Sequence, residues 1–413
     1  MSSRRIQIML AVIIGGILLL IAAPFITTDY SEVSAPSKQT STPKPTGHTH
    51  KLKMNVRMTD EEFTAFQKVV TAFEKKNKSI SIAVTNVQPD QGKSYYDMLK
   101  KQAQLKGMAD LTLLDTNWVE EFAALGYLEA TDDLYIDVPV ENYVASTLLP
   151  LRWNGFYWGA PFDFDPYIAV YRTEILKKYN LDLPDGQLDS WIAQLKVMNR
   201  PENQKAEPIF VNANDPYQLL VLDSDVLKET IKRQGKGSSQ LEIRIPRSIP
   251  TSQLWGDFKA GRWVYMISSL SEALKHATPD APMTITTIPQ KQSVVNREGL
   301  LFEGRSFAIS SNSPYRDDAM KWVKYISNKD VQAAWYEDTH QLPSIVKAYA
   351  NKELQATVPQ VILERLDKPV HSLAKPAFPT EVGQLMTIID NVWSGKANRD
   401  DLLNKLDQLR ATE

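Results

Sequence analysis

The stretch GAPFDFDPYIAVYR, residues 159–172, places two carboxylates two positions apart, then a proline and a tyrosine. In an extended segment side chains alternate faces, so Asp163 and Asp165 share one face and Phe162 and Phe164 the other. Paired carboxylates can serve as acid and base on a glycosidic bond, or accept hydrogen bonds from hydroxyl donors. Hydrolysis needs one group on each side of the bond, whereas same-face neighbours of one strand stand about 7 Å apart along a single wall. The five histidines are scattered, and no nucleophile elbow, phosphate loop or HExxH helix is written in the chain. The residues point to acceptors for a ligand and away from an enzyme, with no cofactor and no metal implied.

A second triplet, Asp215-Pro216-Tyr217, repeats Asp165-Pro166-Tyr167, with Asn212 and Asn214 just ahead of it. Proline fixes a backbone angle and removes a donor, the carboxylate accepts, and the tyrosine adds an apolar face with a polar tip. Further polar groups gather where strands should end: Thr59 and Asp60 after the first, Asp115, Asn117 and Trp118 after the third. Each also has a plainer reading. Asp60 suits a first helical turn, Asp115 or Asn117 can cap the next helix, and Trp118 can be core.

These residues need strands and helices to carry them. KLKMNVRM alternates apolar and polar residues, and Thr59 with Glu62 has capping-box spacing ahead of a stripe of Phe63, Phe66, Val70 and Phe73. SISIAVTNV reads as a second strand, Ser94 with Asp97 opens a helix that Gly107 should end, ADLTLLD is a third strand, and Gly126 closes NWVEEFAAL. Alternating strands and helices make a parallel sheet covered on both faces, with ligands at the carboxyl ends of the strands. Asn154-Gly155 predicts a hairpin. YIAVYR, EPIFV and RWVYMI read as strands, the last leading into the polar pair Ser268-Ser269. Ser313-Pro314 should start a helix, and QLPS breaks the remaining helical chain at 341–344.

The chain has 413 residues, 43% hydrophobic and 23% charged, enough for two or three domains. A net charge of -2 gives no pull toward nucleic acid. The absence of cysteine excludes disulfides, thiolate chemistry and a lipid-bearing cysteine. Arg4 and Arg5 precede an uncharged run from Ile8 to Ile26, nearly long enough to span a hydrocarbon core, and Asp29 and Glu32 follow it. Pro24 directly after Ala22-Ala23 is a poor cleavage context, so residues 1–27 are expected to be an uncleaved anchor. Residues 28–50, rich in Ser, Thr, Pro and Lys, are expected to be a disordered linker whose His48 and His50 bind nothing.

The order of FQKVVTAFEKKNKSISIAV, ADLTLLDTNWVEEFAALGYLE, GAPFDFDPYIAVYRTEIL, DFKAGRWVYMISS, GRSFAISSNSPYRDDAMKWVKYISN and QLPS resembles the extracellular solute-binding proteins of ABC importers, in the sugar-binding, maltose-binding-protein-like family. The resemblance runs from Lys51 to the C-terminus. It implies an α/β, two-lobed periplasmic-binding-protein-like fold with an interlobe hinge, here preceded by an N-terminal transmembrane helix. Lobe I would hold 51–162 and 304–342, lobe II 163–303 and 343–413, with crossings near Phe162-Asp163, Gly304 and Leu342.

The resemblance also implies ligand contacts: Thr59 and Asp60; Asp115, Asn117 and Trp118; Asp163, Asp165 and Tyr167; Asp215 and Tyr217; and Ser268, Ser269 and Glu303. Arg305 at the return crossing either pairs with a cleft carboxylate, the expected role, or grips an anion. Three features depart from the family. Ser271 stands near the position of its stacking tryptophan, Gly383-Gln384 replaces a second aromatic, and the chain between Tyr217 and Phe258 is short. The implied function is a monomeric, membrane-tethered extracellular receptor that hands a small solute, a carbohydrate, to an ABC permease. The alternative is a sensor ectodomain of the same fold that signals occupancy to a membrane partner.

Overall fold

The computed structural model describes residues 50–88, 94–183, 187–198, 200, 207–211, 215–223, 225–227, 251–277, 283–289, 300–366, 379–394 and 396–411. The apolar run 8–26, the linker up to residue 49 with His48, and Asn212 and Asn214 lie outside them. Among the described residues no helix is long and apolar enough to cross a membrane.

Strand β1 (His50–Val56) buries Leu52, Met54 and Val56 fully on one face, the alternation its sequence predicts. It starts one residue inside the expected linker, and His50 Nδ1 lies 2.6 Å from Asp318. Thr59 then caps α1 (Asp60–Lys76) through the expected box: Glu62 N donates to Thr59 Oγ1 at 3.2 Å and Thr59 N to Glu62 Oε2 at 2.9 Å. Helix α1 buries Ala65, Phe66, Val70 and Phe73 against the sheet. Strand β2 (Ile80–Asn86), α2 (Tyr95–Gln104), β3 (Leu111–Asp115) and α3 (Val119–Ala124) follow as read, and β2 and β3 both pair with β1 in parallel. Helix α2 ends differently from expectation: the left-handed residue is Lys106 (φ 55°), and Gly107 follows it, donating to Gln102 O. Gly126 (φ 72°) ends α3 as expected, and Asn154 and Gly155, both at positive φ, turn the short hairpin of Arg152–Trp153 with Phe156–Tyr157.

Strand β4 (Ala160–Tyr171) is the spine, and all twelve of its residues are buried. Helix α4 (Leu188–Met198), β5 (Glu207–Phe210), α5 (Pro216–Leu220), α6 (Thr251–Lys259), β6 (Trp263–Ser269), α7 (Leu270–His276) and β7 (Thr284–Thr286) come next. After them run β8 (Phe302–Ile309), α8 (Arg316–Ile326), α9 (Lys329–Thr339), β9 (Leu342–Pro343), α10 (Pro379–Trp393) and α11 (Arg399–Ala411), with short helical turns between β9 and α10. Helix α8 begins two residues after Pro314, because Ser313 Oγ instead accepts from Tyr315 N at 3.1 Å.

The sheet order is β2-β1-β3-β8-β4-β6-β5, with β7 and β9 also pairing with β4. The strands that return, β8 and β9, run antiparallel to β4. Asp163 and Phe164 are therefore flanked by Arg305 and Gly304 on one side and by Pro343 and Leu342 on the other. Gln332 ties the third segment in, donating to Ser344 Oγ at 3.0 Å while Ser344 Oγ donates to Pro161 O at 2.9 Å. Gly304 sits in a crowded spot, where a Cβ would meet Thr116 Oγ1 at 3.0 Å and the Phe302 ring at 3.2 Å.

Phe162 and Phe164 enter two different cores. Phe162 packs with Phe307 and Trp335, at ring distances of 5.3 and 5.1 Å, in the cluster that holds Phe66 and Trp322. Phe164 packs 5.0 Å from Phe302 in the cluster that holds Trp255 and Trp263. One strand thus nails two apolar bodies together. Phe162→Ala is expected to destabilise the protein by about 3–5 kcal/mol, through lost burial and an unfilled cavity, read as a lower urea midpoint.

Candidate functional site

Two kinds of carboxylate lie along the crossing. The first kind is fully paired. Asp163, 1% exposed, receives Arg305 Nε at 2.9 Å, Arg305 Nη2 at 2.5 Å and Trp335 Nε1 at 2.8 Å. Arg305 Nη2 also lies 2.9 Å from Glu62 Oε1. Burial raises the Asp163 pKa against the pull of Arg305. At Glu62 burial pushes the same way, but Arg305 and the Thr59 N–H overcome it and leave the pKa lowered. Arg305 pairs with Asp163, the role expected of it over gripping an anion, while the ligand contact implied for Asp163 does not match this geometry. A buried charge needs a partner, and Asp163 finds its donors in Arg305 and Trp335 while Arg305 also serves Glu62.

Asp165 is intermediate. It accepts from Ser271 N at 3.0 Å, Ser271 Oγ at 2.5 Å and Gln341 Nε2 at 3.3 Å, and burial holds its pKa up at about 6. Ser271, at the position where the resemblance expects a stacking aromatic, instead serves this carboxylate. Ser269 also hydrogen-bonds Asp165, while Ser268 is buried on β6.

The second kind meets neutral donors and, among the described residues, no cation in direct contact. Asp115 ends β3 and accepts one backbone bond, from Asn117 N at 2.9 Å, which caps the turn at 116–118. Burial, then the charge of Glu303, push its pKa to about 7, with Arg57 opposing. Asp215 caps α5 by accepting from Tyr217 N at 3.1 Å. Burial and then Glu303 push its pKa to about 8. Glu303 lies opposite Asp165 in register, and its Oε1 is 2.6 Å from the Tyr167 hydroxyl. That carboxylate is open to solvent, yet burial still raises its pKa. A group reached by water and walled by protein sits in a recess.

Tyr217, half-buried, feels Asp115, Glu303 and Asp215 together, which with burial raise its pKa. The Tyr217 ring on α5 therefore lies among acids carried by β3, β8 and the cap of its own helix. Arg57, exposed at the end of β1, acts on Asp115 and Glu303.

The structure brings together Asp115, Tyr167, Asp215, Tyr217 and Glu303, with Asp165 beside them. Asn117 is half-buried on the turn after β3. Trp118 is packed against Tyr96 and Tyr95, with ring distances of 5.4 and 6.1 Å, and its buried Nε1 has no partner among the described residues. Thr59 and Asp60 stand exposed at the start of α1, where Thr59 caps the helix, and no described contact joins them to this group. Glu62, Ser271, Trp335 and Gln341 were missed as partners of these acids. The capping box signalled Glu62 for a local reason only, and QLPS marked Gln341 only as a break.

Residues 68–360 match the bacterial extracellular solute-binding proteins. The chain belongs to that family. Solved structures share its fold: the GacH receptor of Streptomyces glaucescens (18% identity, TM-score 0.66, covering 88% of this chain and 98% of that one) and maltose-bound MalE3 of T. maritima (15%, 0.67, 88% and 100%). The sugar-binding protein MalE of Xanthomonas citri is similar as well (19%, 0.66, 88% and 98%). The solute-binding protein is thus an α/β, two-lobed periplasmic-binding-protein-like fold, a binder and not an enzyme. Its family places the folded part outside the cytoplasm.

Arg305→Met leaves Asp163 and Glu62 buried without a cation and is expected to destabilise by about 3–5 kcal/mol. Adding Asp163→Asn should recover part of that loss, read as a non-additive double-mutant cycle in urea unfolding.

Proposed function

We propose that this chain is the receptor of an ABC importer for a carbohydrate or related polyol, bound between the lobes. The observation that carries this reading is the set of Asp115, Asp215 and Glu303, acids from separate elements around Tyr217, with only neutral donors in direct contact among the described residues. Sugar hydroxyls are such donors, and acceptors left without donors are costly once water leaves. Charge-assisted bonds contribute roughly 1.5–3 kcal/mol each, so three or four support micromolar affinity after ordering costs. The related receptors were solved with acarbose, D-tagatose, maltose and D-mannitol, all rich in hydroxyls.

The hinge would run through the adjacent segments 163–164, 304–305 and 342–343, dividing lobe I (51–162, 304–342) from lobe II (163–303, 343–413). Closure about such a hinge excludes water and couples binding to lobe motion. Tyr217 is the available ring face, since Ser271 bonds Asp165 where a stacking tryptophan is expected and Trp118 packs on Tyr95 and Tyr96. The run 8–26 would anchor the receptor in the membrane with residues 28–50 as its tether.

The test is a thermal-shift screen with maltose, maltotriose, D-mannitol and D-tagatose. A ligand at a hundredfold excess over its dissociation constant adds about 2.7 kcal/mol of stability. Glu303→Gln and Asp115→Asn should each remove the shift. No shift with any sugar or polyol, or a shift that survives both substitutions, overturns the reading. Loss of uptake of the same solute on deletion of the gene identifies an importer and excludes a sensor.

A further inference from the structure

Tyr167 carries one hydroxyl hydrogen and faces two carboxylates. Its oxygen lies 2.6 Å from Glu303 Oε1 and 3.1 and 3.2 Å from the two oxygens of Asp215. The residue itself is 3% exposed, between an exposed Glu303 and a partly exposed Asp215. The shorter contact has the length of an O–H donated to an ionised carboxylate, roughly 2.5–2.7 Å. If Tyr167 donates to Glu303, its contact with Asp215 lacks a hydrogen. One proton on Asp215 resolves this, with Asp215 donating to Tyr167 and Tyr167 to Glu303. The other Asp215 oxygen, Oδ1, is free to accept from Tyr217 N as the helix cap.

We infer that Tyr167 is a positioning residue that holds one exchangeable proton between Asp215 and Glu303 in the unliganded cleft. The surroundings agree. Around the triad stand Asp115 from β3, Asp165 from β4, Tyr217 from α5, Arg57 from β1 and Arg305 from β8. Arg305 is committed to Asp163 and Glu62, which leaves Arg57 as the nearby cation that no described hydrogen bond engages. Burial and Glu303 hold the Asp215 pKa at about 8.

The sign of the linkage follows. Between about pH 4, the ordinary value for an aspartate, and about 8 the folded protein holds a proton that the unfolded chain does not. The stability this proton supplies is complete below that window and is lost as pH rises through about 8. Solute hydroxyls favour the charged carboxylate, so binding sends the proton to solvent and affinity rises with pH over the same range. This last step rests on the receptor reading; the proton itself does not.

The experiment therefore uses the full-length protein without solute. Melting temperature is followed from about pH 5 to about pH 9 for wild type, Asp215→Asn, Tyr167→Phe and Glu303→Gln. Asparagine retains the helix cap, so Asp215→Asn removes the titration and little else. The wild type should lose about 4–6 °C more than Asp215→Asn across this range. Glu303→Gln should move the difference to lower pH, and so should Tyr167→Phe, which deletes the hydroxyl that accepts the Asp215 proton. An infrared band of a protonated carboxyl at neutral pH should be present in wild type and reduced in Asp215→Asn. Equal pH slopes for wild type and Asp215→Asn overturn the inference, as does a Tyr167→Phe melting curve lowered by the same amount at every pH. If Tyr167→Phe does not fold, the displacement by Glu303→Gln decides. None of these outcomes touches the sugar screen, so the two readings fail separately.

Discussion

The Arg305–Asp163 pair is the constraint on which the rest of the structure depends. Asp163 lies on a strand that belongs to both apolar bodies, and it is buried. An ionised carboxylate there is tolerable only because a two-pronged guanidinium and the Trp335 N–H surround it. That requirement draws β8, α9 and α1 to the same point, since they carry Arg305, Trp335 and Glu62 respectively. The three chain segments at the crossing are thereby held in fixed register, while the aromatic packing of Phe162 and Phe164 divides between two cores.

The neighbouring acids are intelligible by contrast. Asp115, Asp215 and Glu303 sit within reach of the same strands but receive backbone amides and a tyrosine hydroxyl instead of a guanidinium in direct contact. Burial is the main cause of their raised pKa values. Such groups oppose folding, and a protein retains them where a ligand supplies the missing donors. Stability is concentrated in one carboxylate cluster and given up in the next, a few residues along the same strands.

Much of the scaffold was legible in local pattern. The capping box of Thr59 and Glu62, the alternation of β1 and the Asn154-Gly155 turn appear as read, because each is decided by residues a few positions apart. Local rules erred by small amounts where two local solutions compete, as at Lys106 in place of Gly107 and at the start of α8. The site was less legible. The sequence placed Asp163 and Asp165 together as equals, and the structure separates them into a paired ion and an acceptor for Ser271 and Gln341.

By itself, then, the sequence determined which residues are acceptors, which segments are strands and helices, and the order of landmarks that marks the solute-binding family. Those are properties of near neighbours along the chain. Only the tertiary structure decided which acid meets a cation and which meets a tyrosine, because Arg305 and Asp163 are 142 positions apart and Tyr167 and Glu303 are 136 apart. Charge pairing is a matter of distance in space and of burial, and neither is written in the spacing of residues.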